Sequence, residues 1–185
     1  MRSMEIGTLG LGGGGKFGGS EITDLDQIRK GLVRPTAERI FYVRYAIKAG
    51  MTDAEIHEFT AIDPWFLKQI REIVEIENEL VAAGLLHLDE DLLRRAKEAG
   101  FSDKQIAFLC ATKIRNVKQL RQQYGINTVY RLVDTCAAEF EAFTPYYYST
   151  YGVESELRPS TKQKCTCNRR LRQRQNEVFC KAKLN

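Results

Sequence analysis

The chain has 185 residues, 43% of them apolar, enough to bury one core in a single domain. From Arg158 onward nine basic residues face a single acid, Glu177, so this tail carries +8 and the first 157 residues carry −4. No apolar run reaches the ~18 residues a membrane helix needs, and the first residues lack the basic start and apolar stretch of a secretory signal; we expect a cytoplasmic chain and no membrane partner.

In chain order, the first feature is "GLGGGGKF", Gly10 to Phe17, which matches the phosphate-binding pattern G-x-x-x-x-G-K-[S/T] except at its last position. Phe17 has no hydroxyl to ligate Mg²⁺, no buried strand precedes the loop, and Gly18 and Gly19 oppose the helix that should follow Lys16. We read residues 1–20 as a glycine-rich flexible segment and residues 21–157 as the helical domain. Thr36 after Pro35 opens a helix in which Ile40, Phe41, Val43, Tyr45, Ala46 and Ile47 are too apolar all round for a surface element, which predicts a central position.

A duplication follows. "AIKAGMTDAEIHEFTAIDPWFLKQIRE" and "RAKEAGFSDKQIAFLCATKIRNVKQLR" align without a gap at an offset of 50 residues, matching Gly50 with Gly100, Asp53 with Asp103, Ile56 with Ile106 and Ala61 with Ala111. In each unit a helix ends at the glycine, which takes the left-handed conformation at no Cβ cost. Thr52 or Ser102 then caps the next helix, with Glu55 or Gln105 three residues on completing a capping box. Each capped helix spans about two turns. Asp63 caps and Pro64 opens the longest helix, Pro64 to Ala83, with a predicted buried stripe of Phe66, Ile70, Ile73, Val74, Leu80 and Val81. Asp89 caps a helix over Glu90 to Ala99, with Leu92, Leu93 and Ala96 inward.

Beyond Gly125 the periodicity fades, and "TVYRLVDTCAAEF" fits strand or helix. "TPYYYSTYGVE" predicts an extended segment laid over the helices, its rings covering apolar surface and its hydroxyls bonding outward. Residues 158–185, basic and poor in apolar side chains, predict a disordered tail. The expected fold class is all-α: a compact bundle of about seven helices with the extended aromatic segment packed over it.

Few residues could carry chemistry. His57 and His87 are the only histidines; one falls on the outer face of a short helix and the other in a loop, without metal-ligand spacing or a nucleophile partner. Cys136 could be a nucleophile activated by Asp134 or a histidine, but Ala137, Ala138 and Phe140 favour a small buried residue, and Cys110 reads the same way. Cys165, Cys167 and Cys180 lack the paired C-x-x-C knuckles of a structural zinc site. Asp89, Glu90 and Asp91 complement a helix dipole. We therefore expect no catalytic, cofactor-binding or metal-binding residue, and no cofactor in this chain.

A rival reading is a helix–turn–helix-like nucleic-acid-binding protein that uses the basic tail, since a short capped helix, a turn and a second helix occur in "AGFSDKQIAFLCATKIRNVKQLR". Against it, the first copy's second helix begins "PWFLKQIREIVEIENE", with bulky apolar residues and acids where phosphate-binding lysines and arginines are required. Nonspecific contacts of the tail with nucleic acid are a separate electrostatic matter.

Several strings are more specific than their physics. "AIDPWFLKQI" at Ala61, "YGINTVYRLVDTCAAEFEAFTPYYYSTY" at Tyr124 and "RPSTKQK" at Arg158 resemble the oligomerisation domain of the large chain of carbamoyl-phosphate synthase, and "RSMEIG" at Arg2 resembles the end of that enzyme's first synthetase unit. The resemblance implies a non-catalytic scaffold between two ATP-grasp halves. That enzyme makes carbamoyl phosphate from bicarbonate, glutamine or ammonia and two ATP, with Mg²⁺, for arginine and pyrimidine biosynthesis. Implied partners are a second copy, the ATP-grasp halves and the glutaminase small chain. After Lys164 the sequence "CTCNRRLRQRQNEVFCKAKLN" departs from the family, which reads as a truncated or frame-shifted continuation.

Overall fold

The computed structural model describes residues 8–12, 22–133, 139 and 146–157. The chain forms helices α1 (Leu25–Val33), α2 (Arg39–Lys48), α3 (Asp53–Thr60), α4 (Pro64–Ala83), α5 (Glu90–Glu98), α6 (Asp103–Leu109) and α7 (Ile114–Gln123), then strands β1 (Val129–Val133) and β2 (Tyr146–Thr150). The body is helical, in line with the all-α expectation, and a two-stranded antiparallel ribbon is the sheet structure among the described residues.

The duplicated grammar is visible residue by residue. Gly50 and Gly100 have φ of +86° and +89°, and space around both is open, so their role is backbone conformation. Thr52 Oγ1 accepts from the amide of Glu55 and Ser102 Oγ from the amide of Gln105. Each short helix then stops at an alanine with positive φ, Ala61 at +53° and Ala111 at +48°. These are the non-glycine residues with positive φ among those described, and they too stand 50 positions apart. The hairpin of helices α3–α4 is thus repeated as α6–α7, with α2 and α5 the helices that enter each unit.

Burial repeats as well. Ala46 and Ala96, Ile56 and Ile106, and Leu67 and Val117 are fully buried pairs at the same offset. Two apolar clusters result. The first gathers Ile28 and Leu32 of α1, most of α2, Ile56, Leu67 and Val74; the second gathers Leu80, Leu92, Leu93, Ala96, Ile106, Val117 and Ile126. Helix α4, long enough at ~1.5 Å per residue to serve both, supplies Leu67 and Val74 to one cluster and Leu80 to the other. Helix α2 is central, as its composition predicts: Phe41, Val43, Tyr45, Ala46 and Ile47 are buried.

The predicted α4 stripe needs correction. Leu67, Val74, Glu77 and Leu80 are its buried residues, while Phe66 and Val81 are 57% and 53% exposed. Asp63 caps at Trp65 and Leu67 rather than Phe66 faces the core, so the inward face is rotated by one residue at the helix start. Trp65 and Phe66 stack edge-to-face on the surface, ring centroids 4.9 Å apart.

The aromatic segment is extended and forms β2, but it lies beside β1 rather than over the helices. Tyr146 and Tyr148 are exposed, and Tyr151 is the tyrosine of this segment that packs on the second cluster. Its hydroxyl accepts from Arg121 Nη1 at 2.9 Å, so it bonds inward, against expectation.

Candidate functional site

Among the described residues, the most deeply buried ion pair lies between α2 and α4 of the first helical unit. Helix α2 places Arg44 and Lys48 one turn apart on the face toward α4, where Glu77 follows Val74 by three residues and Leu80 follows Glu77 by three. The stripe that buries Val74 and Leu80 must therefore bury Glu77, which is 1% exposed. Arg44 Nε donates to Glu77 Oε2 at 2.7 Å, Arg44 Nη2 donates to Glu77 Oε1, and Lys48 Nζ donates to the same oxygen at 3.2 Å. The guanidinium also lies 5.4 Å from the Tyr45 ring centroid. Two cations converge on one buried carboxylate, an arrangement that fixes the α2–α4 register rather than offering a reactive group.

Residues 8–12 close this junction. Leu11 is buried in the first cluster, while its carbonyl accepts from Gln105 Nε2 of the second unit at 2.7 Å. A Cβ at Gly10 would overlap the Gln105 amide, and one at Gly12 would lie 2.6 Å from Glu77 Cδ and 2.8 Å from Arg44 Nε. Gly12 also has φ of +81°. At Gly10 and Gly12, then, glycine is required by close approach, where the sequence reads only as a spacer; Lys16 and Phe17 lie outside the described residues. The same contact explains why the second capping box is half built. Glu55 returns to accept from the Thr52 amide at 2.7 Å, but Gln105 turns away from Ser102 to hold Leu11.

A second cluster anchors the ribbon. Lys97 Nζ donates to Phe101 O at 2.7 Å and pairs with Asp103 at 2.8 Å; Arg121 stands 3.6 Å from the same carboxylate. The Lys97 ammonium also faces the Tyr151 ring at 5.0 Å. In the first unit the corresponding pair is Asp53 with Arg71, and Arg71 itself bonds the Met51 carbonyl that Lys97's counterpart would have reached. Position 47 there is an apolar isoleucine.

The residues that sequence reasoning weighed for chemistry are scattered. His57 is exposed, its Nδ1 donating to Ile62 O at 2.7 Å, and His87 is exposed in the turn after α4. Cys110 is buried, its thiol against Leu80 O at 3.4 Å and its pKa pushed up by burial. Asp89 caps α5 through the Leu92 amide, and Glu90 and Asp91 pair with Arg94 and Arg95 one turn on. Asp134, Cys136, Cys165, Cys167 and Cys180 lie outside the described residues. Among the described residues no group of three His, Cys, Asp or Glu side chains could hold a metal. Two hollows, of about 270 and 340 Å³, lie between α1 and the ends of α2 and α3; Lys48, Arg29, Glu55 and Glu58 are their charged lining, with neither histidine nor cysteine. Arg44 and Glu77 escaped the sequence reading, although the spacing of Val74, Glu77 and Leu80 carried the signal for Glu77; Gln105 was read as a capping-box residue, and its side chain instead holds Leu11.

Residues 1–125 match the family model of the carbamoyl-phosphate synthetase large chain, oligomerisation domain. The chain belongs to that family. Carbamoyl phosphate synthase large chains from Rhodopirellula baltica and Archaeoglobus fulgidus are 49% and 47% identical to it over 160 and 168 residues, 85% and 89% of this chain. One from Thermotoga neapolitana is 47% identical over 142 residues. The chain spans about 15% of the length of the first two large chains. The junction of α2, α4 and residues 8–12 is thus internal architecture of an oligomerisation domain.

Proposed function

We propose that this chain acts as a non-catalytic oligomerisation scaffold of a carbamoyl-phosphate synthase large chain. The observation that carries the reading is the match of residues 1–125 to the oligomerisation-domain model. It is supported by where the ionisable groups go: Glu77, Asp53, Asp103 and Glu79 are each engaged by a cation, and none of these pairs lines either hollow except through Lys48. On this reading the domains are residues 1–20, 21–157 and 158–185, with Thr8–Gly12 resting on the helical body. The partners are a second copy, the ATP-grasp halves and the glutaminase small chain. The parent enzyme joins bicarbonate, glutamine or ammonia and two ATP into carbamoyl phosphate; ATP and Mg²⁺ belong to its ATP-grasp halves and no cofactor to this chain. The working compartment is the cytoplasm; no helix among the described residues is long and apolar enough to cross a membrane.

Two measurements on the purified chain test this. Incubated with ATP, Mg²⁺, bicarbonate and ammonia, the chain alone consumes no ATP, and its light-scattering mass rises above 21.2 kDa as concentration increases. Turnover above the protein-free rate, or a constant monomer mass, contradicts the reading. The nucleic-acid alternative predicts instead a salt-sensitive affinity for DNA that survives removal of the residues after Glu156.

A further inference from the structure

The β1–β2 ribbon lies outside the oligomerisation-domain model, which ends at Gly125. It lies inside the likeness to whole large chains, because a match over 85% of this chain necessarily includes both strands. Among the described residues Tyr151 joins the ribbon to the helices, and half of the strand residues are exposed. Leu132, Val133, Tyr146 and Tyr148 are all exposed.

Its two long edges differ. On β1, Tyr130 O accepts from the Glu156 amide at 2.8 Å, the Tyr130 amide reaches Ser155 Oγ at 3.4 Å, and the Leu132 amide donates to Glu156 Oε2 at 2.7 Å. The amides of Tyr130 and Leu132 therefore point away from β2. In an antiparallel ladder, residues opposite outward-pointing residues also point outward, on the far side. Tyr130 faces Ser149 and Leu132 faces Tyr147, so the main-chain groups of Ser149 and Tyr147 define the other edge. They have no hydrogen-bond partner among the described residues. Strand edges that must remain solvated are protected by charge, proline or a bulge. Tyr146–Thr150 has none of these, whereas β1's edge is closed by the returning chain.

We propose that the Tyr147–Ser149 edge receives a strand from the part of the large chain that lies outside the span matched here, extending the ribbon to three strands. The occupant follows from the lengths: relatives carry the ribbon within chains of which this one spans 15%, and the model for self-association stops before it. Main-chain pairing supplies the affinity, and Tyr146 and Tyr148, on the face shared with Val133, grip the incoming side chains. The inference rests on the large-chain reading and is independent of self-association.

Amide hydrogen exchange tests it in two proteins: the isolated 185-residue chain, and the full-length Rhodopirellula baltica large chain at the aligned positions. In the isolated chain the Tyr147 and Ser149 amides exchange at close to the rate of exposed amides at every concentration, while Tyr146, Tyr148 and Thr150 are slower. In the full-length chain the amides aligned with Tyr147 and Ser149 slow by about 100-fold or more. Ser149→Pro removes an outward amide and no ladder bond, so it leaves the isolated chain's thermal midpoint unchanged. At the aligned position of the large chain, proline abolishes the protection at the neighbouring outward amide. Fast exchange in both proteins overturns the proposal, as does concentration-independent protection in the isolated chain. Protection that grows with its concentration assigns the edge to a second copy, overturning the proposal while leaving the self-association reading intact.

Discussion

Glu77→Gln removes a charge and little volume from the junction of α2 and α4. At an effective dielectric of about 20, unit charges ~4 Å apart interact by about 4 kcal/mol, so Glu77 exchanges that much with Arg44 and somewhat less with Lys48, which is partly solvated. Desolvating the carboxylate cancels several kcal/mol of this gain in the native protein, and glutamine recovers part of that cost. The net loss on breaking a buried pair from one side is about 3–5 kcal/mol, and we expect the glutamine variant near the lower figure. Glu79 supplies the control on the same helix: its pair with Arg95 is 2.5 Å long but half exposed, so Glu79→Gln costs at most about 1 kcal/mol. Urea unfolding followed by circular dichroism at neutral pH measures both. Equal losses at the two positions would refute the reasoning, since burial would then not decide the worth of the pair.

Four further outcomes follow from the same geometry. Gly100→Ala meets open space and costs only its left-handed backbone term, about 1 kcal/mol; Gly12→Ala adds overlap with Glu77 and Arg44, costs more, and moves the Gln105 side-chain amide resonance to its solvent-exposed position. Ala61→Gly and Ala111→Gly relieve a left-handed strain of about 1–2 kcal/mol against a smaller entropic loss, so each raises the thermal midpoint or leaves it unchanged. Thr52→Ala costs about 1 kcal/mol as a lost cap. The Thr52 amide and hydroxyl hold Glu55's carboxyl below its ordinary value, so Glu55's contribution is present above that value and disappears as pH falls; the gap between wild type and Thr52→Ala narrows in acid without closing, because the Oγ1 cap on the Glu55 amide does not titrate. Burial raises the Cys110 thiol, so its contribution is complete below the ordinary thiol value and declines as pH rises; peptide mapping should find Cys110 alkylated only at the global unfolding rate.

What could be read from the sequence was local. Gly50 and Gly100, Thr52 and Ser102, and Asp63 with Pro64 act within a few residues of themselves, so their chemistry dictates helix boundaries wherever the helices finally pack. The direction a helix faces is set by its neighbours, which is why Phe66 and Val81 read as core yet lie outside, and Leu67 the reverse. Glu77 was legible in spacing, but its charge argued for solvent until Arg44, 33 positions away, was placed beside it. The docking of Leu11 depends on Gln105 at a separation of 94 residues, and no pattern within a glycine run encodes such a contact. β1 was similarly undecided because a five-residue strand carries too few alternations to outvote a helical reading, whereas the tyrosine run of β2 reads as extended.

Sedimentation equilibrium of the intact chain, at low salt and at about 0.5 M salt where surface charge is screened within a few ångströms, tests the scaffold role most directly. A scaffold predicts a weight-average mass that climbs above the 21.2 kDa monomer with concentration in both buffers. A monomer at all concentrations, or an association that vanishes at high salt and leaves only the basic tail's electrostatics to account for it, would contradict it.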